Sequence, residues 1–99
     1  MNSVFACLMK FCHDWHFMKE PKWAECECAY MSIKLRNLLR RHGHSSMVAT
    51  CDIMEHHWVI VGEYQIDITA RQFDAKTPWP LVWPVGEEHP CRNCELLTP

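Results

Sequence analysis

The sequence predicts an α+β domain, because two helix-type segments come first and two strand-type runs joined by a glycine turn follow them. Apolar residues recur at steps of three and four over residues 4–18 and again over residues 28–42. This spacing places them on one face of a helix. β-branched and aromatic residues are concentrated on both sides of Gly62-Glu63, as in an antiparallel hairpin. We therefore expect N-terminal helices packed on a small antiparallel sheet.

The two predicted helices have clear apolar stripes. The first is closed by Pro21, which cannot continue a helix, and its stripe consists of Val4, Leu8, Phe11, Trp15 and Met18. The second runs from Cys28 to about His42, and Gly43 just beyond it suits the left-handed cap residue. Its stripe consists of Met31, Leu35, Leu38, Leu39 and His42.

Three strands are predicted, over residues 47–53, 56–61 and 64–69. A glycine at the first position of a two-residue turn supplies the positive φ that such hairpins need. The turn sets Val61 opposite Tyr64 and Val59 opposite Ile66. Because strand side chains alternate, one face carries His56, Trp58, Gln65 and Asp67, and the other carries His57, Val59, Val61, Ile66 and Ile68. A three-residue loop would reverse this assignment.

The chain of 99 residues is long enough for one domain that folds without metal or disulfides. We divide it into an N-terminal helix (1–20), a core (21–76) and an extended proline-rich arm (77–99). The arm follows from its prolines, which remove backbone donors, and its aromatic residues predict packing on the domain. Oligomeric state stays open.

Charge and cysteine content exclude several classes of protein. The net charge of -2 and the scattered basic residues argue against nucleic acid as a partner. The longest apolar stretch near the start is far too short for a membrane span. The seven cysteines are odd in number, and the N-terminus lacks the features of a secretory signal. We expect free thiols and a cytoplasmic protein.

The predicted elements bring together groups suited to thiol chemistry. Cys28 lies where the second helix begins, and the first turn of a helix favours a thiolate. A cysteine nucleophile also needs a base, and the base needs a polar group that orients its ring. His56 and Asp67 share one face of the hairpin on diagonal positions, so they can supply both.

These residues fall in a recognisable pattern. Cys28, Ser32, Leu35, Leu39 and Gly43 resemble the nucleophile helix of papain-like and transglutaminase-like cysteine enzymes, including small NlpC-type members. The tighter match is in the strands, where the runs HHWV (56–59) and IDITARQF (66–73) resemble the His-x-Trp-Val and Ile-Asp-x-Thr-Ala-x-Gln-Phe strands of small members. The resemblance covers roughly residues 24–74.

The resemblance implies a papain-like α+β fold and a thiol hydrolase or acyltransferase that acts on a protein or peptide amide without a cofactor. Peptidase, amidase, glutamine deamidase and transglutaminase activities all stay open. Cys28 would be the nucleophile, His56 the general base and then acid, and Asp67 the orienting carboxylate. The candidates for oxyanion or substrate contacts are Trp23, Trp58 and Gln72.

Two features depart from the family pattern. Glu25 and Glu27 flank the helix start, where negative charge opposes a thiolate. No glutamine precedes Cys28 to donate a side-chain hydrogen bond to an oxyanion. The backbone N–H of Cys28 and the indole N–H of Trp23 are the donors that remain.

Two other hypotheses stay open. A zinc-stabilised binding module could use the four thiolates of Cys26, Cys28, Cys91 and Cys94, although Cys-x-Cys is an unusual spacing for structural zinc. A catalytically inactive papain-like domain could instead bind a partner through its cleft.

Overall fold

The computed structural model describes residues 3–51 and 56–91 and confirms an α+β architecture. The helices are α1 (Val4–Asp14), α2 (Pro21–Ala24) and α3 (Cys28–Arg41). The strands are β1 (Ser46–Cys51), β2 (His56–Val61), β3 (Tyr64–Asp67) and β4 (Leu81–Pro84). Short 3₁₀ turns cover His16–Lys19 and Ala70–Gln72.

The first helix is shorter than its apolar stripe predicts. The Ser3 hydroxyl caps it by accepting a hydrogen bond from the Ala6 N–H at 3.0 Å, and the helix ends at Asp14. The next turn is 3₁₀, which also brings residues three apart to one side, so Met18 still reaches the core. The prediction that Pro21 closes this helix is wrong. It opens α2 instead, at a first-turn position where no N–H is needed.

Helix α3 confirms the prediction at both ends. It begins at Cys28 and ends at Arg41, with His42 as the cap and Gly43 at a φ of 84°. The His44 N–H donates to the Leu39 carbonyl at 2.9 Å, which is the closing hydrogen bond of a Schellman motif. A glycine was needed here because other residues rarely adopt this φ.

The sheet is a four-stranded antiparallel meander in the order β1-β2-β3-β4. Gly62 turns the chain between β2 and β3 at a φ of 58°. The pairs Val59 with Ile66 and Val61 with Tyr64 confirm the predicted register. Strand β3 ends two residues before its predicted end at residue 69, and residues 52 and 53 of the first predicted strand lie outside the described ranges.

The proline-rich segment contributes a strand that the sequence did not predict. Strand β4 pairs with β3 at the edge of the sheet, and its last residue is Pro84. An edge strand tolerates proline because one side of it needs no partner. Leu81 and Trp83 are buried, so this part of the segment packs on the domain as expected. The predicted arm continues into residues 92–99, which lie outside the described ranges.

The sheet separates two different environments. On one face α3 packs across β1 and β2, and the main apolar core forms between them from Met31, Leu35, Leu39, Val59, Val61, Ile66 and Ile68. On the other face lie aromatic and polar side chains, with a small apolar cluster around Leu81 and Trp83. Among the described residues, no helix has the length and apolar character that crossing a membrane requires.

Candidate active site

Cys28 is the first residue of α3 and is half-buried. The chain enters the helix through Cys26, which has a φ of 64°, and Glu27 caps the helix without a side-chain hydrogen bond. The sulfur therefore lies at the positive end of a 14-residue helix. Glu25 and Glu27 flank this position as the sequence showed, yet the pKa of Cys28 is lowered, as described below.

His56 and Asp67 face each other at one end of the β2-β3 pair. His56 is the first residue of β2 and Asp67 the last of β3, and they are 3% and 1% exposed. His56 Nε2 donates to Asp67 Oδ2 across 2.6 Å. The hairpin register predicted this contact, because it places both side chains on the same face.

The Cys28 thiol lies beside the two consecutive histidines of β2. Its Sγ lies 3.6 Å from Nδ1 of His57, and both His56 and His57 lower the pKa of Cys28. Because Asp67 occupies Nε2 of His56, Nδ1 is the nitrogen left for the sulfur. The structure thus brings Cys28, His56 and Asp67 together. The contact with His57 was not predicted, since that ring was assigned only to the apolar face.

Asp67 is the most heavily hydrogen-bonded group of the site. Its Oδ2 accepts from both His56 and His89 at 2.6 Å, and its Oδ1 accepts from the Thr69 N–H at 2.8 Å and the Thr69 hydroxyl at 3.3 Å. Burial raises the pKa of Asp67, but the hydrogen bonds from the two histidines outweigh burial, and the net shift is downward. The carboxylate is therefore held in its charged form.

The pKa values of sulfur and ring move toward each other and cross. Burial lowers the pKa of His56, but its hydrogen bonds with Asp67 and Cys28 raise it to about 9. Burial raises the pKa of Cys28, but its hydrogen bonds with His56 and His57 lower it to about 7. Between these two values the favoured state is a thiolate beside an imidazolium, which is the reactive form of a cysteine nucleophile.

His89 is a member of the cluster that sequence reasoning missed. It is 8% exposed, and besides its bond to Asp67 its ring lies 4.7 Å from the Trp83 ring and 5.5 Å from the His56 ring, centroid to centroid. Burial lowers the pKa of His89, but the hydrogen bond with Asp67 raises this pKa by more, so the net shift is upward. No spacing in the sequence pointed to it. A lone histidine beside Pro90 in an aromatic segment was the one available signal.

The three predicted oxyanion or substrate residues have different surroundings. The Trp58 indole donates to the Gln65 side chain at 2.9 Å, and Gln72 donates to the Thr69 hydroxyl at 3.2 Å, behind Asp67. Trp23 is 53% exposed, and its ring contacts Phe17 and Lys22. Trp58 and Gln72 therefore support the site, and Trp23 alone offers an exposed surface.

A shallow cleft of about 470 Å³ adjoins the site through Phe73, whose ring lies 4.7 Å from the His56 ring. Thr77, Leu81 and Cys91 line its far side. A cleft of similar volume, about 460 Å³, lies between α1 and α3 among Lys10, Trp15, Lys34 and Arg41, away from these rings. Because one of its lining residues, Phe73, packs against the His56 ring, the first cleft is the better candidate for substrate.

The cysteines do not form the proposed zinc site within the described ranges. Cys26, Cys28 and Cys91 are free thiols that are not gathered into one potential metal-binding group there, and Cys94 lies outside those ranges. Cys7 and Cys12 are also free thiols, but Cys51 is disulfide-bonded, so the expectation of free thiols throughout is wrong there.

One other group has the donor types of a metal site, namely His56, Asp67 and His89, whose potential ligand atoms lie within 4.8 Å of one another. Both nitrogen-oxygen distances to Asp67 are 2.6 Å. Two ligands of a tetrahedral zinc lie about 3.3 Å apart, since each is about 2.0–2.1 Å from the metal. The observed distances fit strong hydrogen bonds and not shared coordination.

No protein-family model matches the chain, and neither a curated protein nor a solved structure matches it.

Proposed function

We propose that this chain is a thiol hydrolase or acyltransferase of papain-like fold that acts on protein or peptide amides through Cys28, His56 and Asp67. The observation that carries the proposal is a sulfur at a helix start that lies beside the consecutive histidines His56 and His57, next to the buried hydrogen bond between His56 and Asp67. This is the arrangement of nucleophile, base and orienting group that covalent catalysis needs.

The fold assignment is supported by the same placement. Helix α3 carries the cysteine at its first residue and packs across an antiparallel sheet, and neighbouring strands supply the histidine and the aspartate. The strand segments around His56 and Asp67 are also those whose sequence resembles the papain-like and transglutaminase-like enzymes.

The proposed reaction has two halves, the acylation of Cys28 and its deacylation, and His56 transfers a proton in each. The Cys28 thiolate attacks the amide carbon, a carbon-sulfur bond forms, and the carbonyl electron pair moves to oxygen. When the oxyanion collapses, the carbon-nitrogen bond breaks and the His56 imidazolium gives its proton to the departing amine. Water or an amine then attacks the thioester, His56 takes its proton, and the thiolate is released. Asp67 keeps the ring aligned throughout.

A second candidate is a catalytically inactive domain of the same fold that binds a partner at this site. It is favoured by the burial of His56, which is 3% exposed, because an acid that protonates a leaving group must reach the substrate. Turnover distinguishes the two candidates.

The first test is the pH dependence of alkylation by iodoacetamide, followed cysteine by cysteine with mass spectrometry. Wild-type Cys28 should become reactive with a midpoint near pH 7, its lowered pKa, whereas His56→Ala should move the midpoint toward the ordinary value of 9.0. His57→Ala is the matched variant and should shift it less, because within residues 3–51 and 56–91 the Asp67 carboxylate bonds to His56 and not to His57. Equal reactivity of Cys28 and exposed Cys26, unaffected by His56→Ala, would refute the proposal.

The second test is turnover of a small activated ester. Wild-type protein should show a bell-shaped rate between about pH 7 and pH 9, because the thiolate forms above the first value and the imidazolium is lost above the second. Cys28→Ser should abolish turnover. Fast alkylation without turnover would instead support the inactive partner-binding domain.

A further inference from the structure

One carboxylate oxygen accepts hydrogen bonds from two histidines in the buried cluster. Asp67 Oδ2 lies 2.6 Å from Nε2 of His56 and 2.6 Å from Nε2 of His89. A carboxylate oxygen only accepts, so both ring nitrogens must donate. The reaction proposed above uses only the first of these hydrogen bonds, and leaves the second without a role.

The tautomer of His89 follows from its other contact. Its Nδ1 lies 3.1 Å from the backbone nitrogen of Cys91 and accepts that N–H. A ring nitrogen that accepts carries no proton, so the ring proton lies on Nε2 and points at Asp67. The backbone of residue 91 therefore fixes His89 as a donor to the carboxylate.

A built turn returns the chain to this position after β4. Gly86 has a φ of 95°, and Gln65 donates to the carbonyls of Pro84 at 2.9 Å and Glu87 at 3.0 Å. The Trp83 indole donates to the same Glu87 carbonyl at 3.2 Å. Two hydrogen bonds from the sheet to the Glu87 carbonyl thus fasten the segment that carries His89.

We propose that His89 is a positioning residue of the thiol site: its Nε2–H holds the Asp67 carboxylate in the orientation that aligns His56 with Cys28. The inference rests on the proposed function and extends the site to the segment after β4. Thr69 fixes one carboxylate oxygen and His89 helps to fix the other, so the group cannot rotate away from His56.

The surroundings of His89 limit which other groups can affect a pH profile. Its titratable neighbours are Asp67 from β3, His56 from β2 and the Cys91 thiol from its own segment. The remaining ring contacts are with Trp58, Trp83 and Phe73, which do not titrate in this range. Among these groups, His56 is the one whose pKa responds to Cys28.

The test compares His89→Gln, which keeps an N–H donor, with His89→Leu, which has none. The midpoint of Cys28 alkylation should stay near pH 7 in His89→Gln and rise by about one pH unit in His89→Leu. His13→Leu on the exposed side of α1 is the control and should leave the midpoint unchanged. Circular dichroism and urea unfolding establish that each variant is folded.

A measurement on the wild-type protein covers the case in which His89→Leu does not fold. At a pH above the raised pKa of His89, nitrogen-15 NMR of the histidine side chains should show His89 with an unprotonated Nδ1 and a protonated, strongly deshielded Nε2. An unprotonated Nε2 would overturn the inference.

The inference and the proposed function fail in different ways. If the wild-type midpoint near 7 depends on His56 but is the same in His89→Gln and His89→Leu, the positioning role is wrong and the thiol site stands. If the wild-type midpoint is not lowered at all, the proposed function fails first.

Discussion

The two faces of the sheet are stabilised by different kinds of interaction. The face under α3 is apolar and closely packed, with Leu35 and Leu39 fully buried against Val59 and Ile66. The opposite face is held by individual hydrogen bonds that end on Asp67 and Gln65. Packing energy is spread over many contacts, whereas each buried polar group depends on one or two partners. The first face therefore supplies most of the packing energy, and the second holds the buried polar cluster.

The largest expected effect lies on the helix face. Leu35→Ala removes a fully buried side chain from the core, and we expect a loss of about 2–5 kcal/mol in the free energy of unfolding, measured with urea. Ile33→Ala, at a position 43% exposed on the same helix, is the matched control and should cost far less. Similar losses in both variants would contradict the division between the faces.

On the polar face, Asp67→Asn should change both the stability of the fold and the reactivity of Cys28. The amide places a donor where the carboxylate accepts, so we expect a loss of about 1–3 kcal/mol. Without the negative charge the Cys28 alkylation midpoint should move from about 7 toward 9. Asp14→Asn, at an exposed ion pair with Lys10, is the control. A midpoint that stays near 7 would show that Asp67 is only structural.

The same variant predicts a pH dependence of stability. The pKa of Asp67 is lowered on folding, so its contribution is complete above its ordinary value of 3.8 and is lost as pH falls through the still lower folded value. The difference in unfolding free energy between wild type and Asp67→Asn should be largest near pH 5 and should fall above about pH 6.5, because Asp67 also raises the pKa of His56 from 6.5 to about 9 and that contribution is lost as pH rises through this range. It should shrink under more acidic conditions.

A smaller effect is expected at the side chain that fastens the turn after β4. Gln65→Met keeps the volume but removes the bonds to the Pro84 and Glu87 carbonyls and leaves the Trp58 indole without its acceptor. We expect a loss of about 1–2 kcal/mol. Amide hydrogen exchange should accelerate over residues 84–91 and stay unchanged in α3. Uniform acceleration across the chain would contradict a local role.

The smallest effect concerns the entry to α3. Cys26 has a φ of 64°, which a side chain disfavours. Cys26→Gly should raise the free energy of unfolding by about 0.5 kcal/mol, since relief of this strain exceeds the entropy cost of glycine. Cys26→Ala keeps the Cβ and should bring no gain. Equal urea midpoints for the two variants would show that the position is unstrained.

Local signals determined most of the fold. The apolar stripe and Gly43 set the bounds of α3, and Gly62 set the hairpin register, because helix caps and two-residue turns depend on nearby residues. Local signals failed where two solutions satisfy the same pattern. The stripe that ends at Met18 fits a long helix or a helix followed by a 3₁₀ turn, and Pro21 can end one helix or begin the next.

The sequence by itself thus determined the α+β class, the position of Cys28 at a helix start, and the pairing of His56 with Asp67, since each follows from short-range periodicity and turn geometry. Only the tertiary structure decided that β4 completes the sheet and that His89 bonds to Asp67. Both depend on contacts between residues that lie far apart in the sequence. The spacing of residues along the chain does not predict such contacts.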